Sequence, residues 1–258
     1  MADQYIEVNS THEGQVAQIT LGPAPANIIS QNLMGQLTSA LKEIESQKDV
    51  KLVILCGSGK HFSFGASVEE HTKDRVGAML PEFHKTIARL IDFPIPILSK
   101  VRGQCLGGGF EVAMASHFIF ASKGAKFGVP EITLGVFPPV ACALLSTLLT
   151  DTIAQELILT GKTVTAKALK CSGFVNSVSA DEELDGVIEE FIVKEILPKS
   201  ASSLRVATKA SRLVLSERYH SSISKLEKLY LEELMSLSDA NEGIESFLEK
   251  RSPKFSNS

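Results

Sequence analysis

The stretch VRGQCLGGGFEVAMASH, residues 101–117, sets Gly107, Gly108 and Gly109 directly ahead of an acidic residue, Glu111, on an otherwise apolar segment. Glycines let a backbone turn tightly and approach a ligand closely. A second glycine-containing turn, HFSFGAS at 61–67, follows another apolar run. Where two such turns lie side by side, the N–H groups of Ala66 and Gly108 can converge on one oxygen. They would stabilise the negative charge that develops there, as in a thioester enolate. The dipole of the helix that starts beside Gly108 favours the same charge.

The acidic residues extend this reading. Glu111 alone is explicable as a charge in a helix's first turn, and the three glycines as a strand-to-helix turn. Its neighbours Phe110, Val112, Ala113 and Met114, however, imply an enclosed helix, where an ionised carboxylate needs partners or a raised pKa. FGVPEITLG at 127–135 sets a second carboxyl, Glu131, among apolar residues. Two enclosed carboxyls can divide acid and base work around one substrate.

Competing motifs fail on single residues. LTGKTV has Glu156 where a phosphate-binding loop needs its first glycine, and HFSFG has His61 where a nucleophile elbow needs glycine. GQCLGGG does not keep the G-x-G-x-x-G spacing. The six histidines form no H-x-x-x-H pair, and Cys56, Cys105, Cys142 and Cys171 stand far apart, so no metal site is expected and the thiols are read as buried and free. The net charge of −4 and the absence of tryptophan argue against nucleic-acid binding. No apolar run reaches the length of a membrane span, and the N-terminus lacks a secretory pattern, which together point to a cytoplasmic protein.

The elements that position these groups follow from periodicity. Strand patterns at 3–8 and 15–21 suggest an opening hairpin, and GPAPAN then breaks the chain. Ser30 caps a helix to about Gln47 with Leu33, Leu37, Leu41 and Ile44 on one face. Strands at 50–57 and 95–103 flank a helix at 74–92, and a short helix from about Gly109 to Ser116 precedes a strand at 118–122. Helices are expected at 139–149, 151–160 and 165–173. This alternation predicts an α/β fold with helices outside the sheet. From Pro198 the pattern is helical in three pieces separated by polar breaks, with too few apolar positions for a core of its own.

The segments PAPANIIS, HFSFGAS, VRGQCLGGGFEVAMASHFIFAS, AKFGVPEITLGVFP, LTGKTVTAKALKCSGFVN and ANEGIESFLEKRSPKF, in this order, resemble the crotonase, or enoyl-CoA hydratase/isomerase, superfamily over nearly the whole chain. The resemblance implies a spiral of β-β-α units over 1–197, holding the coenzyme A and active sites. It also implies a helical C-terminal region, 198–258, that trimerises, as a trimer or a dimer of trimers. Ala66 and Gly108 match the family's oxyanion hole, and Glu111 and Glu131 its acid/base pair. Pro25, Ala26 and the turn Ser63, Phe64, Gly65 match segments beside coenzyme A, which belongs to the acyl-CoA substrate, so no separate cofactor is implied.

Three departures bear on the acyl group: Phe64 replaces a small residue, Ser67 an aspartate, and Pro139 a glycine. They liken the chain to family members that add water 1,4 across a cyclic dienoyl thioester. The alternatives are a conventional 2-enoyl-CoA hydratase, a hydrolase acting on the ring or the thioester, and a non-catalytic acyl-CoA-binding protein.

Overall fold

Leu52–Gly57 buries all but its last residue, and only the interior of a parallel sheet offers a strand apolar cover on both faces. The computed structural model describes residues 4–258. In chain order the elements are β1 (Ile6–Thr11), β2 (Val16–Leu21), α1 (Gln31–Ser46), β3 (Leu52–Gly57), α2 (Val76–Ile91), β4 (Ile97–Val101), β5 (Gln104–Leu106) and α3 (Gly108–Met114). They continue as β6 (Phe118–Ser122), β7 (Lys126–Gly128), α4 (Pro139–Leu148), α5 (Asp151–Thr160), β8 (Thr163–Thr165), α6 (Ala166–Cys171) and β9 (Ser177–Ser179). The last three are α7 (Leu184–Phe191), α8 (Ala201–Lys228) and α9 (Ser238–Leu248).

The larger sheet has the order β1-β2-β3-β4-β6-β9, antiparallel in its opening hairpin and parallel thereafter. A smaller sheet, β5-β7-β8, stands beside it. Alternation along β3 divides the interior. Val53 and Leu55 face the main core with α1 and α2, whereas Leu52 and Ile54 face Leu184, Ile188, Ile192 and Ile196 of α7 and the turn after it. This is the layered α/β arrangement expected, with Ser30 accepting the Leu33 N–H as the α1 cap.

Four sequence expectations differ from the structure. The strand expected over 3–8 lies at Ile6–Thr11, with residue 3 outside the described residues. The single strand expected over 95–103 divides into β4 and β5, because Gly103 takes a left-handed φ of +54° and turns the chain onto the smaller sheet. The first two helical pieces expected after Pro198 are one helix, α8, since the polar interval SERYH holds neither proline nor glycine to stop it. Cys56 and Cys105 are buried as expected, but Cys142 on α4 is only half-buried and Cys171, at the end of α6, is exposed.

The C-terminal helices share the main core. Leu215, Tyr219 and Ile223 form one thin buried stripe along α8, joined by Tyr230, Met235, Ala240 and Ile244. The Tyr219 hydroxyl donates to the carbonyl of His84 on α2 at 2.8 Å. Among the described residues no helix is long and apolar enough to cross a membrane.

Candidate active site

The two glycine-containing turns are stitched together by their backbones. Ser63 and Cys105 form an isolated parallel bridge, the Ser63 N–H donates to the Gln104 carbonyl at 3.0 Å, and the Leu106 N–H returns to Ser63 at 3.0 Å. On the other side Ile29 bridges Ala66: its N–H donates to the Gly65 carbonyl at 2.9 Å and its carbonyl accepts the Ser67 N–H at 3.3 Å. In a parallel bridge the residue between those two bonds turns its own N–H away from the partner. The Ala66 N–H therefore points back toward α3.

Gly108 waits there. A Cβ added to it would lie 3.0 Å from both the N and the Cβ of Ala66, so the two main-chain segments touch. As the first residue of α3, Gly108 has no intrahelical acceptor for its N–H. Among the described residues neither amide has a partner. Two adjacent unpartnered donors, one at a helix N-terminus, form an anion-stabilising pair.

Glu111 projects from the first turn of α3 and is 3% exposed. Its Oε1 accepts the N–H of Ala141, in the first turn of α4, at 2.9 Å. Burial pushes its pKa up to about 7, opposed by the Ala141 and Val140 amides. Glu131 sits on a single 3-10 turn, Pro130–Leu134, between β7 and α4. Burial, and then the charge of Glu111, hold its carboxyl well above the ordinary carboxylate range. Its Oε2 is buried with no partner, and a Cβ on Gly107 would come within 2.8 Å of its Oε1. Gly107, at φ +50°, thus lets the backbone pass against this carboxyl.

Both glutamates and both amides line one cavity of about 650 Å³. Phe64, Gly65, Ser67 and Pro139 line it as well. Pro139 opens α4, so it walls the cavity and starts the helix whose next amides hold Glu111. Phe64 is 43% exposed and stands edge-on to His61, ring centroids 4.9 Å apart. Three residues expected beside coenzyme A are not on the lining of this cavity. Ser63 is wholly buried, its Oγ accepting the Gly65 N–H at 3.1 Å. Ala26 accepts the Phe64 N–H at 2.9 Å and Pro25 is exposed beside it, both outside the cavity lining.

Several lining groups escaped the sequence reading. Met79, Leu80 and Phe83 of α2 and Phe247 and Leu248 of α9 supply apolar wall. His71 adds a polar point: its Nδ1–H donates to the Ser67 carbonyl at 2.7 Å, and burial lowers its pKa, leaving a neutral ring. An interleaved apolar pattern is common to all core helices, so it carries no mark of a cavity.

Residues 11–258 match the family model described as enoyl-CoA hydratase/isomerase. The chain is 38% identical to a cyclohexa-1,5-dienecarbonyl-CoA hydratase of Thauera aromatica, over 99% of this chain and 98% of that one. It is 35% identical to a probable enoyl-CoA hydratase of Bacillus subtilis, over 93% and 95%. The solved enoyl-CoA hydratase/isomerase of Xanthobacter autotrophicus Py2 superposes with a TM-score of 0.86 at 27% identity, over 95% of this chain and 93% of that one. These matches give the chain the crotonase-type fold and support a hydro-lyase activity on acyl-CoA thioesters. The chain belongs to the enoyl-CoA hydratase/isomerase family.

Proposed function

We propose that this protein adds water across cyclohexa-1,5-diene-1-carbonyl-CoA to give 6-hydroxycyclohex-1-ene-1-carbonyl-CoA, a reversible step of anaerobic benzoyl-CoA breakdown. The observation that carries the reading is a pair of enclosed carboxyls of unequal proton affinity on the same cavity as two convergent amides. The full-length likeness to the Thauera protein supports the cyclic substrate.

On this reading the thioester oxygen accepts from Ala66 and Gly108. Glu111, about half ionised near neutrality, takes a proton from water as the water oxygen bonds to the β-carbon. The electron pair of the ring double bond moves toward the thioester as a dienolate, whose charge the two amides offset. Glu131, held protonated by burial and by Glu111, delivers its proton to the far end of the dienolate. The hydroxyl and the new hydrogen then stand 1,4 across the ring. Proton exchange with solvent resets the pair. The thioester itself is the electron sink, so the chemistry calls on no further cofactor.

Conventional 2-enoyl-CoA hydration is the second reading, favoured by the Bacillus likeness and by an apolar wall that would also take a linear chain. Incubation with the cyclic dienoyl-CoA and with crotonyl-CoA decides between them. Gain of one water by mass and replacement of the dienoyl ultraviolet band by that of a mono-unsaturated enoyl thioester for the cyclic substrate, at a kcat/KM well above that for crotonyl-CoA, supports the proposal. Turnover of crotonyl-CoA alone overturns it. A free carboxylate among the products would indicate hydrolysis instead. We also infer a trimer or dimer of trimers, to which the exposed Val206, Leu213 and Val214 of α8 offer an apolar face.

A further inference from the structure

Tyr230 packs in the main core, and the mechanism proposed above makes no use of its hydroxyl. It lies in the π-helical turn Leu229–Glu233 that continues α8, a local irregularity often found near functional sites. Its side chain is 1% exposed, and its hydroxyl is buried without a hydrogen-bond partner. Its ring meets Phe137 edge-on, centroids 5.2 Å apart, and Phe137 lines the active cavity on the segment between Glu131 and α4. Burial, and then the charges of Glu131 and Glu111, hold the hydroxyl protonated.

Two unpartnered buried polar atoms thus belong to residues linked through Phe137, which touches the Tyr230 ring and shares the cavity wall with Glu131. One, the Tyr230 Oη, carries a proton to donate; the other, the Glu131 Oε2, is an oxygen that accepts. A buried polar atom left unpaired destabilises the fold, and a phenylalanine would fill the same volume without that penalty. Core packing therefore explains the ring of Tyr230 and leaves its hydroxyl unexplained. A hydroxyl that pairs with Glu131 when the carboxyl ionises explains it, because the stabilisation then appears only when the proton has left.

We propose that Tyr230 is a positioning residue for the hydration: its O–H donates to the Glu131 carboxylate, directly or through one water, as Glu131 gives up its proton. The proposal rests on the acid role given to Glu131 above. Such a donor favours the ionised form, which makes Glu131 a stronger acid at the moment of transfer and fixes the direction of its other oxygen.

The test is Tyr230→Phe, which removes one oxygen and no volume. At a pH where Glu131 is protonated, unliganded Tyr230→Phe should melt at the same or a higher temperature than the parent. Its kcat for whichever thioester the parent hydrates should fall by about ten- to a hundredfold, with KM within twofold. The alkaline limb of its pH–rate profile should move to higher pH, because Glu131 loses a donor to its ionised form. An unchanged kcat and pH profile in a well-folded Tyr230→Phe protein, with the parent active, overturns the role of Tyr230 and leaves the proposed function standing. A parent that hydrates no enoyl thioester overturns the functional reading first. The pH dependence of melting in unliganded parent and variant then decides alone: a decline reaching higher pH in Tyr230→Phe supports the pairing, and superimposable curves refute it.

Discussion

The Oε1 of Glu111 accepts the Ala141 N–H at 2.9 Å, which ties the buried carboxyl of α3 to the N-terminus of α4. Two opposed effects meet in this bond. Burial favours the protonated acid, whereas the amides and the helix dipole favour the carboxylate, and the balance leaves the pKa at about 7. A base must be ionised to act. The acid limb of kcat/KM should therefore fall close to pH 7, above the ordinary carboxylate range, and the alkaline limb should follow Glu131 at higher pH. An acid limb near pH 4.5 would remove Glu111 from the role of base.

The same pKa shift predicts a stability effect. A carboxyl whose folded pKa exceeds its unfolded value contributes stability that is full at low pH and is lost as pH rises to the folded value. Between about pH 4.5 and 7 the parent should therefore lose stability through Glu111, on the order of 3 kcal/mol as an upper figure. Glu111→Gln keeps the shape and carries no charge. It should match the parent near pH 5, melt at higher temperature at pH 8, and lose hydration by about 10²–10⁴-fold. Thermal scans across this range, beside turnover, separate the two consequences.

Glu131→Gln tests the proposed role of Glu131 as proton donor. An amide cannot deliver a proton to carbon, so turnover should fall by about 10²–10⁴-fold. Binding of a saturated acyl-CoA should survive, since Ala66 and Gly108 remain in place. Unchanged hydration by this variant would remove Glu131 from the chemistry.

The glycines separate by what their added methyl would meet. On Gly108 it would reach the Ala66 amide, a member of the proposed oxygen-binding pair, so Gly108→Ala should fold and lose about 10²–10³ in kcat. On Gly109 it would lie 2.5 Å from the Cβ of Ser63, inside the packed interior. Gly109→Ala should therefore lose stability, and the double variant Gly109→Ala with Ser63→Gly should regain part of it. Melting temperatures of the three proteins check the pairing of 109 with 63.

These contrasts show which parts of the site could be read in the chain. Glu111 and Glu131 stood out because carboxyls among apolar neighbours violate ordinary patterning, and the glycines marked the turns that bring Ala66 to Gly108. The amide of Ala141 left no trace, because a main-chain donor is the same at every residue except proline. The walls from α2 and α9 were equally silent: Phe83 and Phe247 read as ordinary apolar positions, and only the fold brings them to one cavity. The continuity of α8 was missed because a polar interval resembles a break until the stripe of Leu215, Tyr219 and Ile223 is seen to run through it.

Phe64 offers the sharpest test of the acyl group. Its N–H is fixed to Ala26, so truncating the side chain should leave the neighbouring Ala66 amide in register. Its ring, edge-on to His61, presents an aromatic surface at the cavity that a flat six-membered ring can cover more completely than a short linear chain. Phe64→Ala should lower kcat/KM for the cyclic dienoyl-CoA by about tenfold or more, the cost of losing part of an aromatic contact area. Its kcat/KM for crotonyl-CoA should change by less than about threefold. Equal losses on both thioesters would reduce Phe64 to a packing residue and leave the choice of substrate to the walls from α2 and α9.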